Sequence, residues 1–239
     1  MKTLNQYIKE KLIINKDYND NTIVVKSFDE LRKIIEDRYD KLGPGTEQDP
    51  VDFNDIDVSN IDSFCNSKNE GIFHIMDFKY IDISYWDVSN VKTMNYMFHE
   101  CEELKSVGDI SYWDVSNVTN MSFMFCDCYY LNIDLSSWNV SNVTDMNGMF
   151  CGCKSFNQDI SNWDVSKVTN MGYMFLGCTS FNQDLSNWNV SKVTIMNAMF
   201  RACKSFNKDI SNWDVSKVKQ CVYMFDNCPI KEEYKPKFK

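Results

Sequence analysis

Hydrophobic and polar positions along most of this chain keep to a period. In the stretch from Trp163 to Asn187 the apolar positions are Trp163, Val165, Val168, Met171, Met174, Phe175, Cys178, Phe181 and Leu185. The pattern returns behind Trp86, Trp113, Trp138, Trp188 and Trp213, at intervals of 27 residues once and then 25. A fixed period of this size marks repeats that each bury their apolar side only against their neighbours. Within a unit, Met171 to Phe175 has the three-and-four spacing of one helical turn. Phe181 to Ser186 is expected as a strand, paired with its copies above and below at ~4.8 Å. Asp164-Val165-Ser166 suits a turn in which the carboxylate accepts from the N–H two residues on. The pattern predicts an α/β repeat solenoid of about seven coils, roughly 35 Å long.

Outside the period lie residues 1–50, expected as an N-terminal α/β cap, and 229–239, expected as a C-terminal tail; the repeats fill 51–228. Leu4, Ile8 and Leu12 have helical spacing, and Thr22 to Val25 is a short strand candidate. Ser27-Phe28-Asp29-Glu30 matches a capping box. It predicts a helix with Leu31, Ile34, Ile35, Tyr39 and Leu42 on one face, stopped by Gly43, Pro44 and Gly45. Such a cap covers the core and the polar edge that a stack of repeats otherwise leaves open. Ile56-Asp57-Val58-Ser59-Asn60-Ile61 reproduces the turn phrase with Ile in place of Trp, and an irregular stretch, Cys65 to Asp77, delays the next unit. At the far end Cys221 replaces a Met and Pro229 ends the pattern. The Lys-rich tail is expected as a short cap and a mobile end.

The 239 residues suffice for one elongated domain with a small appendage. A net charge of −9 argues against nucleic acid as a partner. No apolar run is long enough for a membrane span. Met1 to Lys16 is charged and lacks the apolar stretch of a signal peptide, so the chain is expected in the cytoplasm as synthesised. Of ten cysteines, Cys101, Cys128, Cys153, Cys178, Cys203 and Cys228 share one repeat position. Residues locked to the period in this way read as small buried hydrophobes rather than disulfide partners.

Candidate chemistry sits mostly at positions the period leaves free. Asp109, Asp134, Asp159, Asp184 and Asp209 share one position and stack at ~5 Å. Calcium would neutralise them, or backbone N–H groups and the serine two residues on would. Cys126 and Cys151, one unit apart, are expected at the surface as a reactive pair, with zinc as the other reading. Lys167, Lys192 and Lys217 replace Asn90, Asn117 and Asn142, which gives a basic stripe for an acidic partner or a solvated turn edge. Tyr85, Tyr112, Tyr129 and Tyr130 cluster in the first units and form either a binding patch or packing. His74 and His99 are the two histidines, and neither has a phased nucleophile nearby. No phosphate-binding Gly motif occurs. The sequence therefore assigns no catalytic residue, no metal ligand and no cofactor.

Two phrases carry a resemblance: Phe156-Asn157-Gln158-Asp159-Ile160-Ser161-Asn162-Trp163-Asp164-Val165-Ser166, and Asn170-Met171-Gly172-Tyr173-Met174-Phe175-Leu176-Gly177-Cys178. From about Phe53 to Cys228 the chain resembles the BspA-like leucine-rich repeat family, in the variant of mycoplasmal and gut-bacterial surface proteins. The resemblance implies a leucine-rich-repeat-like solenoid and a role in binding or adhesion, without catalysis. The opening, Leu4-Asn5-Gln6-Tyr7-Ile8-Lys9-Glu10-Lys11-Leu12, is similar to the start of repeat proteins encoded by gut bacteriophages. The expected function is a non-enzymatic module that binds a protein partner, with Tyr85, Tyr112, Tyr129, Tyr130, Lys167, Lys192 and Lys217 as its contact residues. The alternatives are a structural component of a phage virion and a cell-surface adhesin whose leader has been trimmed.

Overall fold

The computed structural model describes residues 22–238, so the helix expected at Thr3 to Leu12 lies outside the described residues. Regular structure is sparse and gathers near the N-terminal side. In order come β1 (Ile23–Val24), α1 (Phe28–Leu42), β2 (Val51–Asp52), β3 (Ile56–Asp57) and β4 (Ile81–Asp82), with a short 3-10 turn at Glu232–Tyr234 near the end. β1 pairs with β3 and β2 with β4, both parallel, placing Ile23 opposite Ile56 and Val51 opposite Ile81.

These elements overturn the expected α/β leucine-rich-repeat-like solenoid. From Ile83 to Ile230 no described residue lies in a helix or a strand; the chain runs through turns joined by single isolated bridges. The missing helical turn has a backbone cause. Tyr173 and Gly177 have φ of 59° and 73°, and the equivalent positions are positive from Tyr96 and Glu100 through to Tyr223 and Asn227. Left-handed residues interrupt a right-handed helix. The N–H groups divide accordingly. Those of Met171, Tyr173, Phe175 and Gly177 leave the unit for the carbonyls of Ile195, Asn197, Met199 and Arg201, at 2.7 to 3.0 Å. Those of Met174, Leu176 and Cys178 turn back three residues. The expected strand at Phe181 to Ser186 fails because side chains take its backbone donors. Asn182 N–H donates to Asn157 Oδ1 at 2.9 Å, and Ser186 N–H donates to Asp184 Oδ1 at 2.9 Å. Polar side chains that satisfy the backbone locally compete with a sheet ladder in this way.

The apolar letters of the repeat meet their copies in neighbouring units. Phe98, Phe125, Phe150, Phe175 and Phe200 stack with ring centroids 5.4 to 5.9 Å apart and planes within 14° of parallel. Each indole N–H of Trp138, Trp163, Trp188 and Trp213 donates to an Ile or Leu carbonyl of the unit before, at 2.9 to 3.1 Å. Trp113, which follows the one 27-residue interval, lacks such an acceptor among the described residues. The thiols of Cys128, Cys153, Cys178 and Cys203 donate to the Phe carbonyl of the preceding unit at 2.8 to 3.1 Å. The repeat cysteine is thus a buried donor as well as a small hydrophobe, and all ten cysteines are free.

α1 covers the start of the repeats. Ser27 Oγ accepts from Glu30 N–H at 3.2 Å, the first half of a capping box, and the Glu30 carboxylate reaches back one residue beyond the N-cap, to Lys26 N–H at 2.8 Å. Gly43, at φ 72°, closes the helix by donating to the Tyr39 carbonyl. Leu31 and Ile35 are buried and Ile34 and Tyr39 partly so, whereas Leu42 at the helix end is exposed. Arg38 grips the Asp55 carboxylate with both guanidinium arms, at 2.7 and 2.9 Å. Arg32 donates to the Gly71 and Ile72 carbonyls at 3.2 and 2.9 Å. At the opposite end the tail folds back: Ile230 is buried and Tyr234 accepts from Ile210 N–H at 3.0 Å.

Candidate functional site

The irregular stretch hides a repeat body in phase with the rest. Asn66 to Glu70 forms a closed loop, pinned by Asn66 N–H to the Glu70 carbonyl at 3.0 Å and by a bridge between Cys65 and Gly71. From Gly71 the period resumes. Phe73 N–H donates to the Met97 carbonyl and Ile75 N–H to the His99 carbonyl, both at 3.0 Å. Phe73 stacks on Phe98 at 5.2 Å. The position after each stacked Phe therefore forms one column: His74, His99, Cys126, Cys151, then Leu176, Arg201 and Asp226. Its first four members are the imidazoles and thiols of four successive units.

His74 and His99 have ring centroids 5.1 Å apart. His99 Nδ1 is buried with no hydrogen-bond partner, and Glu100 Oε1 lies 3.7 Å from it. The donor atoms of His74, His99 and Glu100 all lie within 4.8 Å of one another, the one such cluster of three or more found among the described residues. Burial holds both imidazoles below the usual histidine value, helped at His74 by the charge of His99 and opposed at His99 by Glu100 and Asp127.

Cys126 and Cys151 are less accessible than expected for surface thiols. Cys126 is buried and Cys151 half-buried. Cys126 Sγ donates to Asp127 Oδ2 at 3.5 Å. The neighbouring Cys151 thiol raises Cys126, with burial adding to the rise, and Cys126 in turn lowers Cys151. In the neighbouring core row, burial pushes Cys101 up to about 12.

The structure divides the expected contact residues into separate groups. Tyr85 and Tyr112 are 40 % and 51 % exposed at equivalent positions before their tryptophans. Tyr130 is 50 % exposed, and Lys105 Nζ lies over its ring at 5.7 Å and over the Tyr80 ring at 5.9 Å. Tyr129 is half-buried: its hydroxyl donates to Glu102 at 3.1 Å, and Lys154 Nζ sits 3.5 Å above its ring. No ring contact joins Tyr85 or Tyr112 to Tyr129 or Tyr130 among the described residues. Lys167, Lys192 and Lys217 are exposed on the turn, where Lys167 Nζ donates to Asn142 Oδ1 at 2.6 Å. The Asn residues they replace are tied to backbone, as Asn142 is to the Ser116 carbonyl at 2.8 Å.

The aspartate row is hydrogen-bonded. Asp134, Asp159, Asp184 and Asp209 accept from the N–H of Ser136, Ser161, Ser186 and Ser211 at 2.9 to 3.0 Å. Those backbone bonds hold the four carboxyls below the usual range.

The sequence reading weighed His74 and His99 as catalytic groups and did not set them together as a pair. The signal that places them together is the pair of phrases Phe73-His74 and Phe98-His99, which lie one 25-residue period apart. The left-handed positions and the Arg32 cap left no mark that spacing alone reveals.

Fold and surface define a protein of turn-built repeats with variable side chains between invariant core letters. The chain belongs to the family described as Mycoplasma protein of unknown function, DUF285, which matches residues 48–145 and 130–236. No curated protein and no solved structure matches it. Among the described residues no helix is long and apolar enough to cross a membrane.

Proposed function

We propose that the chain is a non-enzymatic binding module that holds a protein partner through side chains of its early repeats. The exposure of Tyr85, Tyr112 and Tyr130 carries this reading, because later units place Ser137, Asn162, Asn187 or Ser155 at those positions. The fold does not need these aromatic rings. Tyrosine joins a large apolar body to a hydroxyl and is enriched where binding energy concentrates. Lys167, Lys192 and Lys217 add a basic stripe suited to an acidic partner surface. The BspA-like resemblance, with its implied binding and adhesion, supports the same reading. A structural place in a phage virion is the competing role, and it draws only on the similarity of Leu4 to Leu12.

The test compares immobilised wild-type protein with a Tyr85→Ser, Tyr112→Ser, Tyr130→Ser variant of equal melting temperature. A protein retained by the wild type at fixed stoichiometry and lost from the variant supports the proposal. Equal retention by both refutes it. Copurification with particles, indifferent to the tyrosines, establishes the virion role instead.

A further inference from the structure

We infer that His74, His99 and Glu100 form a binding site for a transition-metal dication, with zinc as the ion that suits the set best. Two imidazoles and a carboxylate are a zinc ligand set that leaves a fourth position for water or an incoming group. Three observations converge on it. Donor atoms of the three residues already lie within 4.8 Å of one another. Ligands around a tetrahedral ion with bonds near 2.1 Å lie about 3.4 Å apart, so binding requires the side chains to draw closer together. His99 Nδ1 is buried and unpartnered, and a buried polar atom in this state calls for a partner. Glu100 is exposed, which gives the ion an entry path and keeps the open position toward solvent.

The site has a structural logic within the repeats. His74 belongs to the unit that carries the inserted loop, and His99 and Glu100 belong to the next unit. An ion held by all three fastens the irregular unit to its regular neighbour. Cys126 and Cys151 follow in the same column, but no third ligand joins them within the same reach among the described residues. The ligand chemistry therefore favours the imidazole end of the column.

Zinc titrated by calorimetry into chelator-stripped, reduced full-length protein tests the site, with cobalt as a spectroscopic stand-in. Expected is saturable binding of one ion. Glu100→Gln, an exposed change that spares the fold, should weaken it at least tenfold, and so should His99→Gln. Cys126→Ser with Cys151→Ser should leave it unchanged. The cobalt form should lack a thiolate-to-metal charge-transfer band. Zinc in hundredfold excess over Kd should raise the melting temperature by about 5 °C. Absence of saturable binding overturns the inference. So does binding that survives the Glu100 and His99 changes, or that vanishes with the cysteine changes and shows the thiolate band.

Discussion

Between Gly71 and Tyr130 the chain carries both histidines and the tyrosines at 80, 85, 96, 112, 129 and 130, behind an inserted loop at 66–70. Between Phe156 and Trp213 the same columns hold Leu176, Arg201, Asn162 and Asn187, and the period runs without interruption. Both regions use the same frame. Phe rings stack at 5.2 and 5.4 Å in the early part and at 5.6 and 5.9 Å in the later part. The frame thus accommodates different residues at the free columns, and the early region places imidazoles and aromatic rings there. On the proposed function, stability and recognition would occupy different letters of one repeat.

The largest expected effect breaks the frame in the later region. Phe175 is fully buried and packs on Phe150, Phe181 and Phe200. Phe175→Ala should cost about 3–5 kcal/mol, read as a lower midpoint in chemical denaturation. A smaller loss is expected at the other end of the chain. Arg32→Ala removes the donor to the Gly71 and Ile72 carbonyls and should cost about 1–3 kcal/mol. Its effect should appear as faster amide exchange around residues 64–76, with residues 156–213 unchanged.

These two sites differ in how far the sequence announces them. The stacked Phe rows, the capping box at Ser27 and the turn at Asp164-Val165-Ser166 were legible because each depends on local chemistry or on the period. The secondary structure of the repeat was not. Met171 to Phe175 has helical spacing, but spacing does not record that Tyr173 sits at φ 59°. Phe181 to Ser186 looks apolar enough for a strand, but Asn182 and Asp184 divert the backbone bonds to side chains. The histidine column was obscured by the inserted loop: residues 66–70 separate Phe73 and His74 from the turn phrase at Ile56 by five extra residues, although His74 and His99 lie one 25-residue period apart.

Acid separates the regions further. The Asp134, Asp159, Asp184 and Asp209 carboxyls are held below their unfolded range by serine N–H groups. Their contribution is fully present above an unfolded value of about 3.9 and is lost as pH falls through the lower folded values. Unfolding midpoints should therefore drop only below about pH 4 on this account, and Asp159→Asn should blunt the drop. The smallest effect belongs to the exposed aromatics. Tyr112→Ser should change stability by no more than about 0.5 kcal/mol in thermal unfolding, and a larger loss would show that Tyr112 serves packing.

Amide hydrogen exchange with and without zinc tests most directly whether ligand chemistry is confined to the early region. The account predicts added protection over residues 64–101, around His74, His99 and Glu100, and unchanged exchange over 156–213. Protection spread evenly along the repeats, or no protection at all, would contradict it.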